Sequence, residues 1–306
     1  MQAINIADYI RSGNILNNFQ EKNPFDLIVY EKLPENSKIK GLEDKIISLE
    51  DERFDFGING KLMAASEKYK NILIIIDQIN IGYLLPFIQK SKNTNFSIIN
   101  IGSGYSSFIN KQVPETADIS LLQNFNIEIK EPIDFVSFFG FLGNNNKQYI
   151  RIPEKELPGT ISKDGEDNLD TNEKLISLKE FGLTGEDGTI LVGASMVGEI
   201  VQATSLTRQE DKNYDVFCVT DYTFLLSEDI KESIKNTEKL IIILDQNEIK
   251  GFENKIKSVL FDNQIIDVQI YFIQPNQLPT TSSKEYIQEN IQFGGEGIYE
   301  KLIQIQ

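Results

Sequence analysis

The segment DGTILVGASMVGEIVQA, Asp187 to Ala203, has the strand, turn and helix order that binds phosphate groups in many α/β proteins. A dinucleotide site needs a glycine at the second position of the turn, and Ser195 stands there after Gly193. Asp215 follows at the spacing of a ribose-binding acid, but on the entering side of its strand. The pattern therefore favours a tight strand-to-helix turn over a dinucleotide site, and we expect Gly198 to let the helix lie close to the sheet.

Two other segments contain residue types that bind metal ions. Gly185–Gly188 (GEDG), followed by Asn213, is similar to a metal and diphosphate motif, but it precedes its strand and so lies at the wrong end. A calcium loop starting at Asp164 fails because Leu169 stands where glycine is needed and Leu175 where a bidentate glutamate is needed. A solvated acidic linker explains both segments better, and no metal site is predicted.

The absence of one residue type excludes several kinds of nucleophilic and acid–base catalysis. It has no histidine, which excludes Ser-His and Cys-His mechanisms and histidine-bound zinc. Cys218, the single cysteine, lies in an apolar run and is predicted to be a buried, inert thiol. The loop INIGSGYSSF, Ile99 to Phe108, could present N–H groups to an anion, although a plain turn is favoured.

The overall charge excludes further classes of partner. The formal net charge is −16, with 46 acidic against 30 basic residues, which argues against binding to nucleic acid or to an anionic membrane. No apolar run approaches the roughly 18–20 residues that span a bilayer, and the first residues have no signal-peptide pattern. A cytoplasmic protein is expected.

The elements that position these residues alternate between strands and helices on both sides of an acidic stretch. Apolar runs such as Asn71–Ile76 predict buried strands, and helices with apolar residues at helical spacing follow them. This order predicts an α/β fold of two domains, each a mostly parallel sheet covered by helices. The predicted bounds are 1–152 for the first domain, 153–188 for the linker and 189–306 for the second domain. The predicted elements are strands at 25–30, 71–76, 96–101, 127–130, 148–152, 189–192, 214–219, 239–244 and 268–273, and helices at 82–90, 114–124, 134–142, 197–209, 228–237, 251–260, 282–290 and 295–305.

Six segments in sequence order resemble the transketolase family of thiamine diphosphate enzymes. They are RFDFGINGKLMAAS (53–66), PETADISLLQNFNIEIKEPIDFVSFF (114–139), KQYIRIP (147–153), DGTILVGASMVGEIVQA (187–203), LIIILDQNEIKGFENKI (240–256) and IQFGGEGIYEKL (291–302). The resemblance covers residues 45 to 306. It implies a pyrimidine-binding domain followed by a transketolase C-terminal domain, which is also the layout of the β subunit of 2-oxo acid dehydrogenases.

The resemblance also implies what the chain would need for activity. In the family, the cofactor lies between the pyrimidine domain and a separate diphosphate domain, usually across a dimer interface. Thiamine diphosphate with magnesium is therefore expected only if a partner supplies the diphosphate domain, and otherwise no cofactor is expected. The implied partner is a diphosphate-domain subunit or another copy of this chain.

The chain departs from the family where the chemistry is expected. Aligned without gaps, GINGKLM places Gly60 at the position of the family's catalytic glutamate, whose carboxyl hydrogen-bonds the aminopyrimidine ring. The nearby Glu67 is expected on the following helix, with no reason to point back toward Gly60, so no catalytic residue is assigned. Ile58, Gly60 and Tyr83 are the predicted contacts to the cofactor. The family's histidines are replaced near Glu115–Thr116 and at Gln246 or Asn247.

Three functions are consistent with these observations. The favoured hypothesis is a transketolase-like subunit that is catalytically degenerate and has a structural or regulatory role. The alternative is an active β-type component of a two-subunit thiamine diphosphate enzyme, acting in ketol transfer or 2-oxo acid decarboxylation. The third is a small-ligand or dinucleotide binder that only shares the fold.

Overall fold

The architecture comes from a computed structural model of the 306-residue chain. It describes residues 3–19, 23–34, 42–49, 56–77, 79–103, 118–142, 146–158, 174–223, 226–246, 250–275 and 293–305. Apolar β-branched runs form its central strands, since such side chains pack well on a pleated surface that is covered on both faces. In the segment Asn71–Ile76, the five residues from Ile72 onward are buried.

Thirteen strands lie in the described ranges and form three sheets. They are β1 Ala3–Asn5, β2 Leu27–Tyr30, β3 Ile46–Ser48, β4 Asn71–Ile76, β5 Asn95–Ile101, β6 Glu128–Lys130, β7 Gln148–Ile152, β8 Glu156–Pro158, β9 Leu175–Ser177, β10 Thr189–Gly193, β11 Asp215–Val219, β12 Lys239–Ile243 and β13 Gln269–Ile273. The first large sheet is all-parallel, in the order β3-β2-β4-β5-β7-β6. The second is β13-β12-β10-β11-β9, with only β9 antiparallel to its neighbour.

Helices follow most of the parallel strands, as right-handed crossovers require. The described α-helices are α1 Ile6–Arg11, α2 Phe56–Lys68, α3 Leu85–Lys90, α4 Asp118–Leu122, α5 Phe135–Leu142, α6 Val197–Thr207, α7 Glu228–Thr237, α8 Lys250–Asp262 and α9 Gly295–Gln304. None of the helices in the described ranges is long and apolar enough to cross a membrane. The predicted α/β fold, with two mostly parallel sheets covered by helices, is confirmed.

Several predicted elements differ in detail from the observed ones. The helix predicted from Gly82 begins as a 3-10 turn, Ile81–Leu84, because Asn80 caps that turn before Pro86 opens α3. The helix predicted from Pro114 is described only from Asp118 onward, and the helix predicted at 282–290 lies outside the described residues. Sequence patterns did not predict β1, α1, β3, β8 or β9, whose lengths of three to six residues give too little periodicity.

The stretch predicted as a linker, residues 153–188, includes two of these short strands. β8 pairs with β1 in an antiparallel ribbon, and β9 joins the edge of the second sheet beside β11. Residues 159–173, which include the rejected calcium loop at Asp164, lie outside the described residues. The exact domain bounds stay a prediction.

The two large sheets are joined by backbone hydrogen bonds at the end of β6. The N–H of Glu131 donates to the carbonyl of Thr220 at 2.9 Å, and the N–H of Tyr222 donates to the carbonyl of Ile129 at 2.8 Å. Between them, Lys130 and Asp221 form an isolated antiparallel bridge. The edge strand of the first sheet is thus paired with the segment that leaves β11, which protects that edge.

One apolar core continues across this junction. A single cluster of buried side chains contains Ile74 of β4, Leu191 of β10 and Ile242 of β12. Helices α4 and α8 also pack closely, since a Cβ at Gly251 would lie 2.6 Å from the carbonyl oxygen of Ser120. The two halves therefore share buried surface.

Gly193, at the end of β10, is the glycine that permits close packing in the segment Asp187–Ala203. A Cβ there would lie 2.6 Å from the hydroxyl oxygen of Tyr222, whereas a Cβ at Gly198 would have no neighbour within 4 Å. The expectation that Gly198 brings α6 close to the sheet is wrong, because Gly198 faces open space. The close approach occurs instead at Gly193, where the backbone lies against the Tyr222 side chain.

We predict opposite effects of alanine at these two glycines. Gly193→Ala should lower the free energy of unfolding by about 1–3 kcal/mol, because the new methyl group overlaps the buried Tyr222 hydroxyl. Gly198→Ala should raise it by about 0.5–1 kcal/mol, because alanine is the better helix former. Urea denaturation followed by circular dichroism measures both, and equal effects of the two substitutions would contradict this account.

Candidate functional site

Gly60, at the position implied for the catalytic glutamate, lies on the surface of α2. Its backbone is exposed, and a Cβ placed on it would have no neighbour within 4 Å apart from its own helix backbone and chain neighbours. Glu67 is also exposed, two turns farther along α2. A side chain at position 60 would thus be accommodated, but in this chain the position carries no carboxyl group.

The other two predicted contacts lie on neighbouring elements. Ile58 is 2% exposed and belongs to the apolar core, whereas Tyr83, in the 3-10 turn after β4, is 39% exposed. Asn59 ties these elements together. Its Nδ2 donates to the carbonyl of Tyr83 at 2.6 Å, and its Oδ1 accepts the N–H of Phe87 at 3.1 Å. Asn59 was missed by the sequence analysis, and the cofactor contacts stay a prediction.

The carboxyl ends of β2 and β4 form the crevice in which open α/β sheets usually bind ligands. The chain leaves β2 toward one edge of the sheet and leaves β4 toward the other, which makes this a topological switch point. Glu31, directly after β2, accepts the N–H of Asp77 at 2.7 Å and the N–H of Ile79 at 3.0 Å. These two backbone N–H groups are therefore already hydrogen-bonded to a side-chain carboxylate of the protein itself.

Arg11, the last residue of α1, adds a second set of internal contacts at this edge. Its guanidinium holds Asp77 through two hydrogen bonds of 2.8 Å each and also donates to both oxygens of Glu154. The hydrogen bonding of the guanidinium to Asp77 is the largest of the effects that raise the pKa of Arg11. Gly102, with φ of +68°, passes within contact distance of Glu154. The strand-end charges at this crevice are thus paired with one another.

A larger buried cluster lies at the carboxyl ends of both sheets, where the two halves meet. Its centre is Arg151 of β7, which is 1% exposed. Its Nε donates to Asp118 at 2.8 Å, Nη1 donates to Glu131, and Nη2 donates to Asp245 at 3.0 Å. The guanidinium carbon also lies 5.6 Å from the ring centroid of Tyr222. One cation therefore contacts three carboxylates that come from both halves.

Two of these carboxylates have additional donors. Asp118 accepts hydrogen bonds from the hydroxyl of Tyr149 at 2.8 Å and from the side-chain amide of Gln246. Glu131 accepts the hydroxyl of Tyr222 at 2.8 Å and the backbone N–H of Ser195. Such charge-assisted bonds compensate the loss of hydration on burial.

Asp245 directly follows Leu244 at the end of β12. Among the described residues, its hydrogen-bond donors are Arg151 and, at the long distance of 3.5 Å, the hydroxyl of Ser195. Burial raises the pKa of Asp245 from its ordinary 3.8 to about 6, although Arg151 acts to lower it. Burial acts to lower the pKa of Arg151, but the carboxylates of Asp118, Asp245 and Glu131 hold it well above its usual value. Burial thus favours the protonated form of the Asp245 carboxyl group.

The turn in the segment Asp187–Ala203 takes part in this cluster. Its backbone donor, the N–H of Ser195, is directed at Glu131 of the first sheet. Asp215 lies at the first position of β11, the entering side, where it accepts from Ser233 at 2.7 Å and from the N–H of Gly185 at 3.1 Å. The turn N–H groups and the acidic residue that a dinucleotide site would need are thus represented here by the N–H of Ser195 and by Asp215, and both are already hydrogen-bonded within the protein.

The other residues singled out in the sequence are buried, lie at the wrong end of a strand, or lie outside the described residues. Cys218 is fully buried, and burial raises the pKa of its thiol well above the usual value. The segment Gly185–Gly188 precedes β10, and within the described ranges no group of three or more acidic, cysteine or histidine side chains could hold a metal ion. Glu115, Thr116 and Asn247 lie outside those ranges, as does most of the loop after Ser103.

Comparison with known proteins gives a structural match without a sequence match. No protein-family model matches the chain, and no curated protein sequence matches it. A solved structure described as a split gene transketolase, an inactive β4 tetramer, superposes with a TM-score of 0.74 at 15% sequence identity. The match covers 100% of this chain and 98% of that one. At this identity the likeness shows the fold alone, and the chain has a transketolase-like fold.

We predict that Arg151→Met strongly destabilises the chain. The substitution keeps much of the side-chain volume but leaves three buried carboxylates without their cation, which should lower the free energy of unfolding by about 3–5 kcal/mol. Lys257→Met breaks an exposed pair with Glu253 on α8 and should cost less than about 0.5 kcal/mol. Urea unfolding at neutral pH measures both, and a loss below about 1 kcal/mol in Arg151→Met would falsify the central role of this residue.

A second prediction concerns the pH dependence of stability. Because the pKa of Asp245 is raised in the folded state, the native protein binds a proton more tightly than the unfolded chain does. This contribution to stability is present at low pH and is lost as the pH rises through about 6. Asp245→Asn should match the wild type near pH 5 and exceed its free energy of unfolding by about 1–1.5 kcal/mol at pH 8.

The comparison of Asp245→Asn with wild type removes titrations common to both proteins. Asp267→Asn, on an exposed aspartate of the loop before β13, is the matched control and should show no such pH-dependent difference. Parallel stability curves of wild type and Asp245→Asn between pH 5 and 8 would show that Asp245 does not titrate in this range.

Proposed function

We propose that this chain is a transketolase-like subunit that has lost the proton-transfer group of the family and acts as a structural or regulatory partner in an assembly. The observation that carries the proposal is Gly60. The fold is that of a transketolase-like chain, yet α2 presents a bare backbone with open space at the position implied for the catalytic glutamate. General acid–base catalysis requires a titratable group within hydrogen-bond reach, and glycine has none.

The carboxyl edge of the first sheet supports the same proposal. Arg11, Glu31, Asp77 and Glu154 pair with one another or with backbone N–H groups at the switch point between β2 and β4. A ligand entering there would have to displace internal ion pairs, which costs free energy. These internal pairs therefore oppose the binding of thiamine diphosphate at this edge, and no catalytic step is assigned to the residues described there.

The structural neighbour supports the assembly part of the proposal. It is described as an inactive β4 tetramer of a split-gene transketolase, and this chain covers almost its whole length. A chain with this fold and extent is suited to self-association or to pairing with a subunit that carries a diphosphate domain. We propose an oligomer as the working form.

The alternative is an active β-type component of a two-subunit thiamine diphosphate enzyme. The neighbour's origin from a split transketolase gene favours a two-subunit arrangement. In that case the missing carboxyl would come from another residue or from the partner subunit. The two functions differ in whether the assembled protein activates the cofactor.

The exchange of the thiazolium C2 proton of thiamine diphosphate separates these two functions. The full chain is mixed with a subunit that carries a diphosphate-binding domain, assembly is verified by light scattering, and exchange into deuterium oxide is followed by proton NMR. We predict that wild type exchanges the proton no faster than the free cofactor with magnesium. Gly60→Glu should accelerate exchange by about 100-fold, because it restores a titratable carboxyl group.

Gly60→Gln is the matched control, since it has the same length but cannot transfer a proton, and it should leave the exchange rate unchanged. Rapid exchange by the wild-type assembly would overturn the proposal and establish the active alternative. Light scattering that finds only monomers, with the chain alone and with the partner, would overturn the assembly.

A further inference from the structure

A groove of about 630 Å³ lies at the edge of the first sheet opposite to the Arg11 and Arg151 clusters. Its floor is at the amino ends of β5, β6 and β7, where Asn95, Glu128 and Lys147 line it. The opposite wall comes from the second half of the chain and includes Thr223 and Lys255. Its volume is in the range of small-molecule sites, which are often formed between two domains.

The groove is positively charged although the protein is strongly acidic. Among the described lining residues there are three lysines and one carboxylate, Glu128, in a chain whose formal net charge is −16. Glu128 is already engaged, since it pairs with Lys130 at 2.8 Å and accepts the side-chain amide of Asn146 at 3.2 Å. The local charge therefore favours an anionic ligand.

The three lysines have different roles. Lys147 donates its ammonium group to the carbonyls of Ser91 and Lys92 at the end of α3, and burial lowers its pKa. Lys92 and Lys255 have exposed side chains, and in the described part of the chain neither ammonium group is in an ion pair. These two ammonium groups, one from each half, are available to neutralise a phosphate.

The other residues that line the groove suit the heterocyclic part of a ligand. Four carboxamide side chains, which can both donate and accept hydrogen bonds, line the groove: Asn95, Gln123, Asn126 and Asn146. Phe125 is the aromatic residue among the lining residues, and it is only partly buried. Carboxamides match the polar edge of a nucleobase, and an aromatic ring can stack on its face.

We propose that this groove binds a nucleotide, with Lys92 and Lys255 neutralising its phosphates and Phe125 contacting its base. A long polyanion is disfavoured as the ligand, because the whole chain carries a formal net charge of −16 and repels a nucleic acid backbone. The bound nucleotide would contact both halves of the chain beside the α4–α8 packing at Gly251. Binding should therefore also stabilise the chain against unfolding.

Isothermal titration calorimetry of the full-length chain with ADP tests the proposal. We expect saturable binding of ADP, with Lys92→Gln and Lys255→Gln each weakening affinity by about five- to tenfold, as expected for loss of one phosphate contact. Lys235→Gln, on an exposed lysine of α7, is the matched control and should leave the affinity within about twofold. ADP should also raise the melting temperature of wild type but not that of the double variant that combines Lys92→Gln with Lys255→Gln.

The chemical class of the ligand is tested with inorganic diphosphate and adenosine. Each should bind at least about tenfold more weakly than ADP, because each lacks one half of the proposed contacts. Diphosphate bound as tightly as ADP would reduce the site to an anion site and overturn the assignment to a nucleotide. Absence of ADP binding up to about 5 mM, or equal binding by the double variant, would overturn the site itself. Neither result depends on Gly60 or on cofactor exchange.

Discussion

A single buried guanidinium, that of Arg151, holds together carboxylates from both halves of the chain. Asp118 and Glu131 come from the first half and Asp245 from the second, and all three lie within hydrogen-bond distance of it. A buried carboxylate without a cation or hydrogen-bond donors is costly, so the packing of the two sheets depends on this arrangement. The backbone pairing at the end of β6 and the apolar core across the junction fix the elements that bring these charges together.

Local patterns in the sequence predicted most of the fold. The strands Asn71–Ile76 and Gln148–Ile152 and the helix Glu228–Thr237 have the predicted bounds, because continuous apolar runs and helical spacing are strong local signals. The short strands β8 and β9 were missed, since three residues pair only through tertiary contacts. The assignment of Gly60 to the position of the family's glutamate, the cofactor contacts and the domain bounds stay predictions.

The central charge cluster was not predicted, because its members are far apart in the sequence. Asp118 and Asp245 are separated by 127 positions, and no spacing rule connects them. A signal was nevertheless present. Arg151 stands between Ile150 and Ile152 in a predicted strand, and Asp245 directly follows another predicted strand. A charge at such a position needs a partner if the strand is buried. Opposite charges at the carboxyl ends of predicted strands are therefore candidate partners, even in different sheets.

The hydrogen bond from the N–H of Ser195 to Glu131 determines how substitutions in this cluster would combine. The turn that could hold an external anion already holds one supplied by the other sheet, and that anion is also bound to Arg151. For the N–H of Ser195 to bind an external anion, Glu131 would have to be replaced. The replacement would remove one of the carboxylates that compensate the charge of the Arg151 guanidinium, which also contacts Asp245. We therefore expect substitutions at these positions to be epistatic, and a change to an open anion site to pass through less stable intermediates.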